Sequence, residues 1–132
     1  MTILIAFISV LLTFPLKQSE PIKPVIAKIV ECSELEHDFG QVTTDSLPIS
    51  CTFVLKNISD KDIYIAQICT TCSCTSVKWD RQIIHSGEKK EISVTYDDNK
   101  ETTKFNRSII VYLSDTKNPF SLRIKGEVCP KK

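Results

Sequence analysis

The hydrophobic positions of this chain recur at every second residue. In the stretch PISCTFVLKN, residues 48–57, Ile49, Cys51, Phe53 and Leu55 alternate with mostly polar neighbours. This spacing is typical of strands with one face in a core and the other toward solvent. The same period continues in four other stretches: KDIYIAQI (61–68), EISVTYDD (91–98), NRSIIVYLS (106–114) and PFSLRIKGEV (119–128). The pattern therefore predicts half-buried strands.

Polar turn residues separate these stretches, as at Asn57-Ile58-Ser59-Asp60 and Ser86-Gly87-Glu88. No window shows the stripe of a helix. Short strands joined by polar turns predict an all-β antiparallel sandwich. We expect seven strands, at residues 28–42, 48–57, 61–69, 76–84, 89–97, 105–114 and 120–128.

The first residues form a separate apolar segment, MTILIAFISVLLTFPL. About 15 apolar residues are short for a spanning helix, which needs roughly 20, and suit a secretory signal. We therefore expect a signal or N-terminal anchor over 1–19, a linker over 20–27, the sandwich over 28–129 and a tail over 130–132. The leader predicts export, to the periplasm, the cell surface or the medium.

The charge of the chain is balanced. Lys and Arg number 17 and Asp and Glu 16, and residues 1–19 hold one of the bases, so the remainder carries 16 of each. A neutral chain without a basic stripe offers no general attraction to nucleic acid or anionic lipid. We expect no nucleic-acid partner, and membrane contact only through an uncleaved leader.

Six cysteines lie beyond the leader. In an exported protein such thiols tend to pair, so all six are candidates for structural disulfides, although six cysteines allow 15 pairings. The candidates are Cys32, Cys51, Cys69, Cys72, Cys74 and Cys129.

Alternating strand directions place five of these cysteines, all except Cys32, at one end of the sandwich. Cys69, Cys72 and Cys74, together with Cys51 or Cys129, are then also candidates for a thiolate metal site, of Cu(I) or Zn(II). A third possibility is thiol–disulfide exchange with another molecule at this cluster, through the C-x-C pair of Cys72 and Cys74. Structural disulfides are the favoured interpretation of the three.

Several motifs occur together and in order: HDFGQV (37–42), FVLKN (53–57), TCSCT (71–75), SGE (86–88) and SLRIKGEV (121–128). As a set they resemble the bacterial domain of unknown function 1573. The resemblance covers about residues 28–128 and implies a seven-stranded immunoglobulin-like sandwich, similar to pilus-chaperone and sperm-protein domains, exported by bacteria.

The sequence gives little sign of catalysis. Its two histidines, His37 and His85, are predicted to lie away from the cysteines, which argues against a Cys–His pair. We expect a non-catalytic module without a cofactor, structural or protein-binding. Its partner would bind through an exposed edge strand or the cysteine-rich end.

Overall fold

Two β-sheets make up the part of the chain described by the structure, a computed structural model covering residues 23–98 and 104–130. The strands are β1 Val25–Ile26, β2 Val30–Cys32, β3 Glu36–Thr43, β4 Ile49–Asn57, β5 Ile65–Thr70, β6 Thr75–Trp79, β7 Lys89–Tyr96, β8 Lys104–Leu113 and β9 Phe120–Cys129. One sheet has the order β1-β2-β4-β7-β6 and the other β3-β9-β8-β5. The predicted all-β sandwich is confirmed.

A single hydrophobic core lies between the sheets, and the alternation of the sequence builds it. In β4, Cys51, Phe53, Leu55 and Asn57 are buried while Thr52 is exposed. Burial of apolar surface at about 25 cal/mol per Å² is the main stabilising term of such a core. Because each strand contributes every second side chain, the pattern specifies which face turns inward.

The first predicted strand, 28–42, is divided between the two sheets. β1 and β2 form a hairpin whose turn residues, Ala27 and Lys28, have φ values of 49° and 58°. β2 ends where Ser33 bonds Val54, and β3 then joins the other sheet, parallel to β9. The predicted linker over 20–27 thus includes β1, and the predicted leader over 1–19 lies outside the described residues.

The predicted strand 76–84 is also shorter in the structure, because β6 ends at Trp79. Asp80 then accepts the Gln82 N–H at 2.8 Å in a local turn, and the chain rejoins the core by a bridge between Ile63 and Ile84. Within residues 23–98 and 104–130, no helix is long and apolar enough to cross a membrane.

The sandwich has a lower end, where β4 ends at Asn57, and an upper end, where β8 begins at Lys104. The Asn57 side chain is fully buried and makes four hydrogen bonds. Its Nδ2 donates to the carbonyls of Lys61 and Ile84 at 2.7 and 2.8 Å. Its Oδ1 accepts from the Ser59 N–H and hydroxyl at 3.0 and 2.6 Å. One side chain therefore fixes the loops of the lower end.

Aromatic packing closes the upper end. The Phe105 ring stacks on Tyr96 with centroids 4.0 Å apart. Gly126 of β9 pairs with Phe105, and a Cβ atom at this glycine would come within 2.8 Å of Phe105 Cζ. The ring therefore occupies space that only a glycine at this position leaves open.

Candidate functional site

The connection between β5 and β6, residues 71–74, carries the C-x-C pair from one sheet to the other. The Thr70 hydroxyl donates to the Cys72 and Thr75 carbonyls at 3.3 and 3.4 Å. The Thr75 N–H donates to the Cys72 carbonyl at 3.2 Å, and the Asp97 N–H donates to the Cys74 carbonyl at 2.9 Å. These bonds hold the connection in a tight turn against the end of β7.

A disulfide joins Cys72 and Cys74 in the structure, with Cα atoms 5.2 Å apart. In an extended strand, residues two apart would have Cα atoms about 6.6 Å apart, at the limit for a disulfide. The turn before β6 supplies the shorter separation. It also directs the Cys74 N–H at Cys72 Sγ, at 3.3 Å.

The two sulfurs have different surroundings. Both cysteines are partly exposed, but Cys74 is the one that packs against the hydrophobic core. Cys74 Sγ also lies 3.8 Å from the hydroxyl of Thr75, which is buried. Cys72 is therefore the sulfur that solvent reaches more readily.

This disulfide contributes little to stability because it closes a very short loop. The chain-entropy relation assigns a loop of three residues about 1.6 kcal/mol, against 2–4 kcal/mol for a typical disulfide. The bond therefore stabilises the turn more than the fold.

The other four cysteines are free in the structure. Cys32 and Cys51 point into the core, and burial raises the pKa of Cys32 to about 12 and that of Cys51 to about 11. Thiols with such pKa values are almost wholly protonated at neutral pH, so both are poor nucleophiles. Cys32 also faces Leu55, four residues along β4 from Cys51, which puts the two thiols too far apart to bond.

Cys69 and Cys129 are partly exposed on the outer face of the four-stranded sheet. The register of β8 gives the height of each thiol. Cys69 lies opposite Ile110, whereas Glu127 lies opposite Lys104 and Cys129 is two residues further along β9. Along the sheet the two cysteines are therefore separated by the length of eight strand residues, about 26 Å. Cys69 therefore does not lie at the upper end, and the prediction that five thiols crowd this end is wrong for Cys69. β5 pairs only with the lower half of β8, so its end stops well short of the end of β9.

The residues considered for a metal site do not come together. Within residues 23–98 and 104–130, no group of three or more His, Cys, Asp or Glu side chains could hold a metal ion. The His85 ring lies at the lower end, where Nδ1 is 2.9 Å from Asp62 Oδ1, and this hydrogen bond raises the pKa of His85. His37 pairs with Glu34 at 2.8 Å. Each histidine is thus engaged with a carboxylate away from the C-x-C pair.

A cavity of about 440 Å³ lies where β3 bulges away from β9. Its lining includes Asp38, Lys104, Lys125 and Glu127, with Phe105 as the apolar part. Neither a hydroxyl or thiol nucleophile nor a histidine is among its lining residues. In this lining, Asp38 accepts the Gly40 N–H and Lys125 pairs with Glu36.

The edges of the two sheets differ in regularity. Four strands form the edges in the described part of the chain, and three of them carry a feature that discourages further pairing. β1 has only two residues, and β3 and β5 each contain a register shift. β6 pairs with β7 over five residues without a shift. The sequence did not reveal which edge is open, because bulges arise from register rather than from residue type.

The end of β6 carries an aromatic residue beside the open edge. Trp79 is partly buried, and the Arg81 guanidinium lies 5.3 Å from its ring centroid. Trp79 Nε1 is buried without a hydrogen-bond partner among the residues described. Ile83, in the loop that follows, is 51% exposed. The end of β6 therefore presents an apolar side chain, Ile83, and a cationic one, Arg81.

Comparison with known proteins decides the family. The pattern of DUF1573, a family described as protein of unknown function, matches residues 30–128. The chain belongs to the DUF1573 family. A comparison with curated proteins finds no match.

Solved structures show the same fold at low sequence identity. A Porphyromonas gingivalis W83 protein of unknown function is 16% identical with a TM-score of 0.65, covering 75% of this chain and 46% of its own. The PapD-like domain 7 of human CEP192 is 11% identical with a TM-score of 0.66, covering 89% of this chain and 99% of its own. The secreted serine protease VesC from Vibrio cholerae is 12% identical with a TM-score of 0.62, covering 77% of this chain and 23% of its own.

These likenesses establish an immunoglobulin-like sandwich of the PapD-like type. The chain spans less than half of the P. gingivalis protein and less than a quarter of VesC, but nearly all of the CEP192 domain. Matches at such identities concern the fold alone.

Proposed function

We propose that this DUF1573 domain is an exported, non-catalytic interaction module that binds a partner by adding an extended segment to β6. The observation that carries this proposal is the regular register of β6, the one edge of the described sheets without a bulge or extreme shortness. An edge of this kind presents main-chain donors and acceptors that a partner strand can pair with. Export rests on the apolar stretch of residues 1–19.

The backbone groups available to a partner follow from the β6–β7 ladder. The Asp97 N–H donates to the Cys74 carbonyl, so by alternation Ser76 and Lys78 direct their N–H and C=O groups toward β7. Val77 and Trp79 direct theirs away from β7. A partner strand would therefore pair with the N–H and C=O groups of these two residues.

Side chains beside the edge indicate what the partner would present. Lys78 is exposed on the outer face of β6, and Arg81 lies beside Trp79. A segment with acidic residues on one face and apolar residues on the other would complement this edge. Affinity would come from main-chain bonds and preference from these side chains.

Val77→Pro tests the proposal, because proline removes the outward N–H while the bonds from β6 to β7 remain. Edge strands tolerate proline at positions whose N–H faces away from the sheet. A photo-crosslinking residue at Ser76, in cells of the source organism, is expected to give a discrete adduct that Val77→Pro reduces about tenfold, the effect of 1.4 kcal/mol.

Two controls accompany this experiment. Val77→Ile keeps the N–H and a similar side chain, and is expected to retain the adduct. The same photo-crosslinking residue at Ser121, exposed on the inner strand β9, is expected to give none. Circular dichroism establishes that each variant is folded. Equal adducts from both positions, or an adduct unaffected by the proline, would rule out pairing at β6.

A further inference from the structure

The Cys72–Cys74 pair lies on the surface and makes a small contribution to fold stability. It sits in a turn fixed by Thr70, Thr75 and Asp97, and both cysteines are partly exposed. The disulfide closes a loop of three residues, so it restricts the unfolded chain very little. A bond that can be opened without loss of the fold is suited to exchange with other thiols.

The geometry points to a thiol–disulfide exchange site that accepts electrons from protein dithiols, in which Cys72 is the sulfur attacked and Cys74 is the first leaving group. The rate of attack by a thiolate depends on access to the sulfur, and the contact of Cys74 with the core restricts access to that sulfur. Cys72 is partly exposed and is not among the residues that pack against the core.

The turn also stabilises the thiolate formed at the end of the exchange. The Cys74 N–H points at Cys72 Sγ across 3.3 Å. A hydrogen bond to the charged form of a group favours that form, so this N–H stabilises a Cys72 thiolate. The same stabilised thiolate would be the attacking group in the reverse direction.

The exchange balances without any other reactant. One thiolate of the substrate attacks Cys72 Sγ, which breaks the bond to Cys74 and forms a mixed disulfide. The Cys74 thiolate takes up a proton. The second substrate thiol, on losing its proton, attacks the substrate's own sulfur in the mixed disulfide and releases the Cys72 thiolate. Two electrons pass from the substrate dithiol, which becomes a disulfide, to the pair, which becomes a Cys74 thiol and a Cys72 thiolate.

The remaining cysteines permit a clean experiment. Cys32 and Cys51 are buried and protonated at neutral pH, and they can stay in place. Cys69 and Cys129 are partly exposed, so Cys69→Ser and Cys129→Ser are introduced together as the background. Within this background, the Cys72→Ser variant keeps only the Cys74 thiol of the pair, and the Cys74→Ser variant keeps only the Cys72 thiol.

The experiment uses two synthetic peptides and mass spectrometry as the readout: a reduced Cys-x-x-Cys peptide for the oxidation, and the disulfide-linked dimer of a one-cysteine peptide, which has no second thiol to reverse the reaction, for adduct formation. The Cys74→Ser variant retains the partly exposed Cys72 thiol and is expected to form a mixed disulfide with the one-cysteine peptide about tenfold faster than Cys72→Ser, because Cys74 is the sulfur that packs against the core. The oxidised background protein is expected to convert the reduced peptide to its disulfide with one-to-one stoichiometry.

Other results would overturn the assignment. A purely structural disulfide predicts no peptide oxidation and equal, slow adduct formation in both variants. A faster adduct in Cys72→Ser would mean that Cys74 is the reactive sulfur. Circular dichroism melting shows whether each variant is folded, and Cys72→Ala with Cys74→Ala serves as a folded, inactive control. Val77→Pro is expected to leave the exchange unchanged, so this inference and pairing at β6 can fail independently.

Discussion

Replacing Asn57 with alanine is expected to lower the free energy of unfolding by about 3–5 kcal/mol. The substitution removes four hydrogen bonds, each worth about 1 kcal/mol, and leaves an unfilled space at a fully buried position. The carbonyls of Lys61 and Ile84 each keep one other donor, which is why the loss is not larger. Urea denaturation followed by Trp79 fluorescence measures the change.

Two further variants separate the causes. Asn57→Asp keeps the shape but places a carboxylate against two carbonyl oxygens, and is expected to cost at least as much as alanine. Asn106→Ala removes an exposed asparagine of β8 whose side chain accepts from Arg123, and is expected to cost less than about 0.5 kcal/mol. If Asn57→Ala cost no more than Asn106→Ala, the role given to Asn57 at the lower end would be wrong.

Gly126→Ala is expected to lower the free energy of unfolding by about 1–3 kcal/mol, the usual cost of overpacking a core. The added Cβ would lie 2.8 Å from Phe105 Cζ, 2.9 Å from Phe105 Cε1 and 3.0 Å from the Gly40 carbonyl oxygen. The stacking of Tyr96 on the Phe105 ring limits how far the ring can move. Either the ring or strand β3 must shift.

A double-mutant cycle identifies the source of this cost. Phe105→Leu removes the two ring atoms nearest the new Cβ, so Gly126→Ala is expected to cost less in that background, with a coupling of about 0.5–1.5 kcal/mol. Gly87→Ala is the matched control, since nothing lies within 4 Å of its Cβ position and its cost comes only from a φ of 84°. A coupling of zero between positions 105 and 126 would show that the clash is not with the ring.

The alternation of hydrophobic residues predicted most of the strands because their faces are unambiguous. β4, β7, β8 and β9 lie within a residue or two of the predicted ranges. The segment 28–42 was not predicted to divide, since the crossing at Ser33 depends on its bonds with Val54 across the sheet. Such contacts between distant residues leave no local pattern.

The cysteine-rich end was predicted from strand direction alone. Direction shows which end a strand runs toward, but not how far along the sheet the strand extends. The short pairing of β5 with β8 leaves Cys69 far below Cys129. The turn before β6 brings the Cα atoms of Cys72 and Cys74 to 5.2 Å, and the sequence alone did not predict this turn.

The motifs that suggested the family have differing physical roles. Asn57 of FVLKN ties the lower loops, Gly126 of SLRIKGEV accommodates Phe105, and Gly40 of HDFGQV adopts a φ of 67° at the bulge of β3. Each of these is a requirement of the fold. Cys72 and Cys74 of TCSCT are different, because the disulfide between them closes a loop of three residues and adds little stability.

Amide hydrogen exchange in β6 is the most direct test of an open edge. In the full-length protein without a partner, the amides of Val77 and Trp79 are expected to exchange rapidly, while those of Ser76 and Lys78, which face β7, are expected to be protected. NMR resolves the four amides individually. Fast exchange at alternate positions would establish that β6 presents free main-chain groups. Equal protection of all four would mean that the edge is already covered and would contradict the proposed interaction surface.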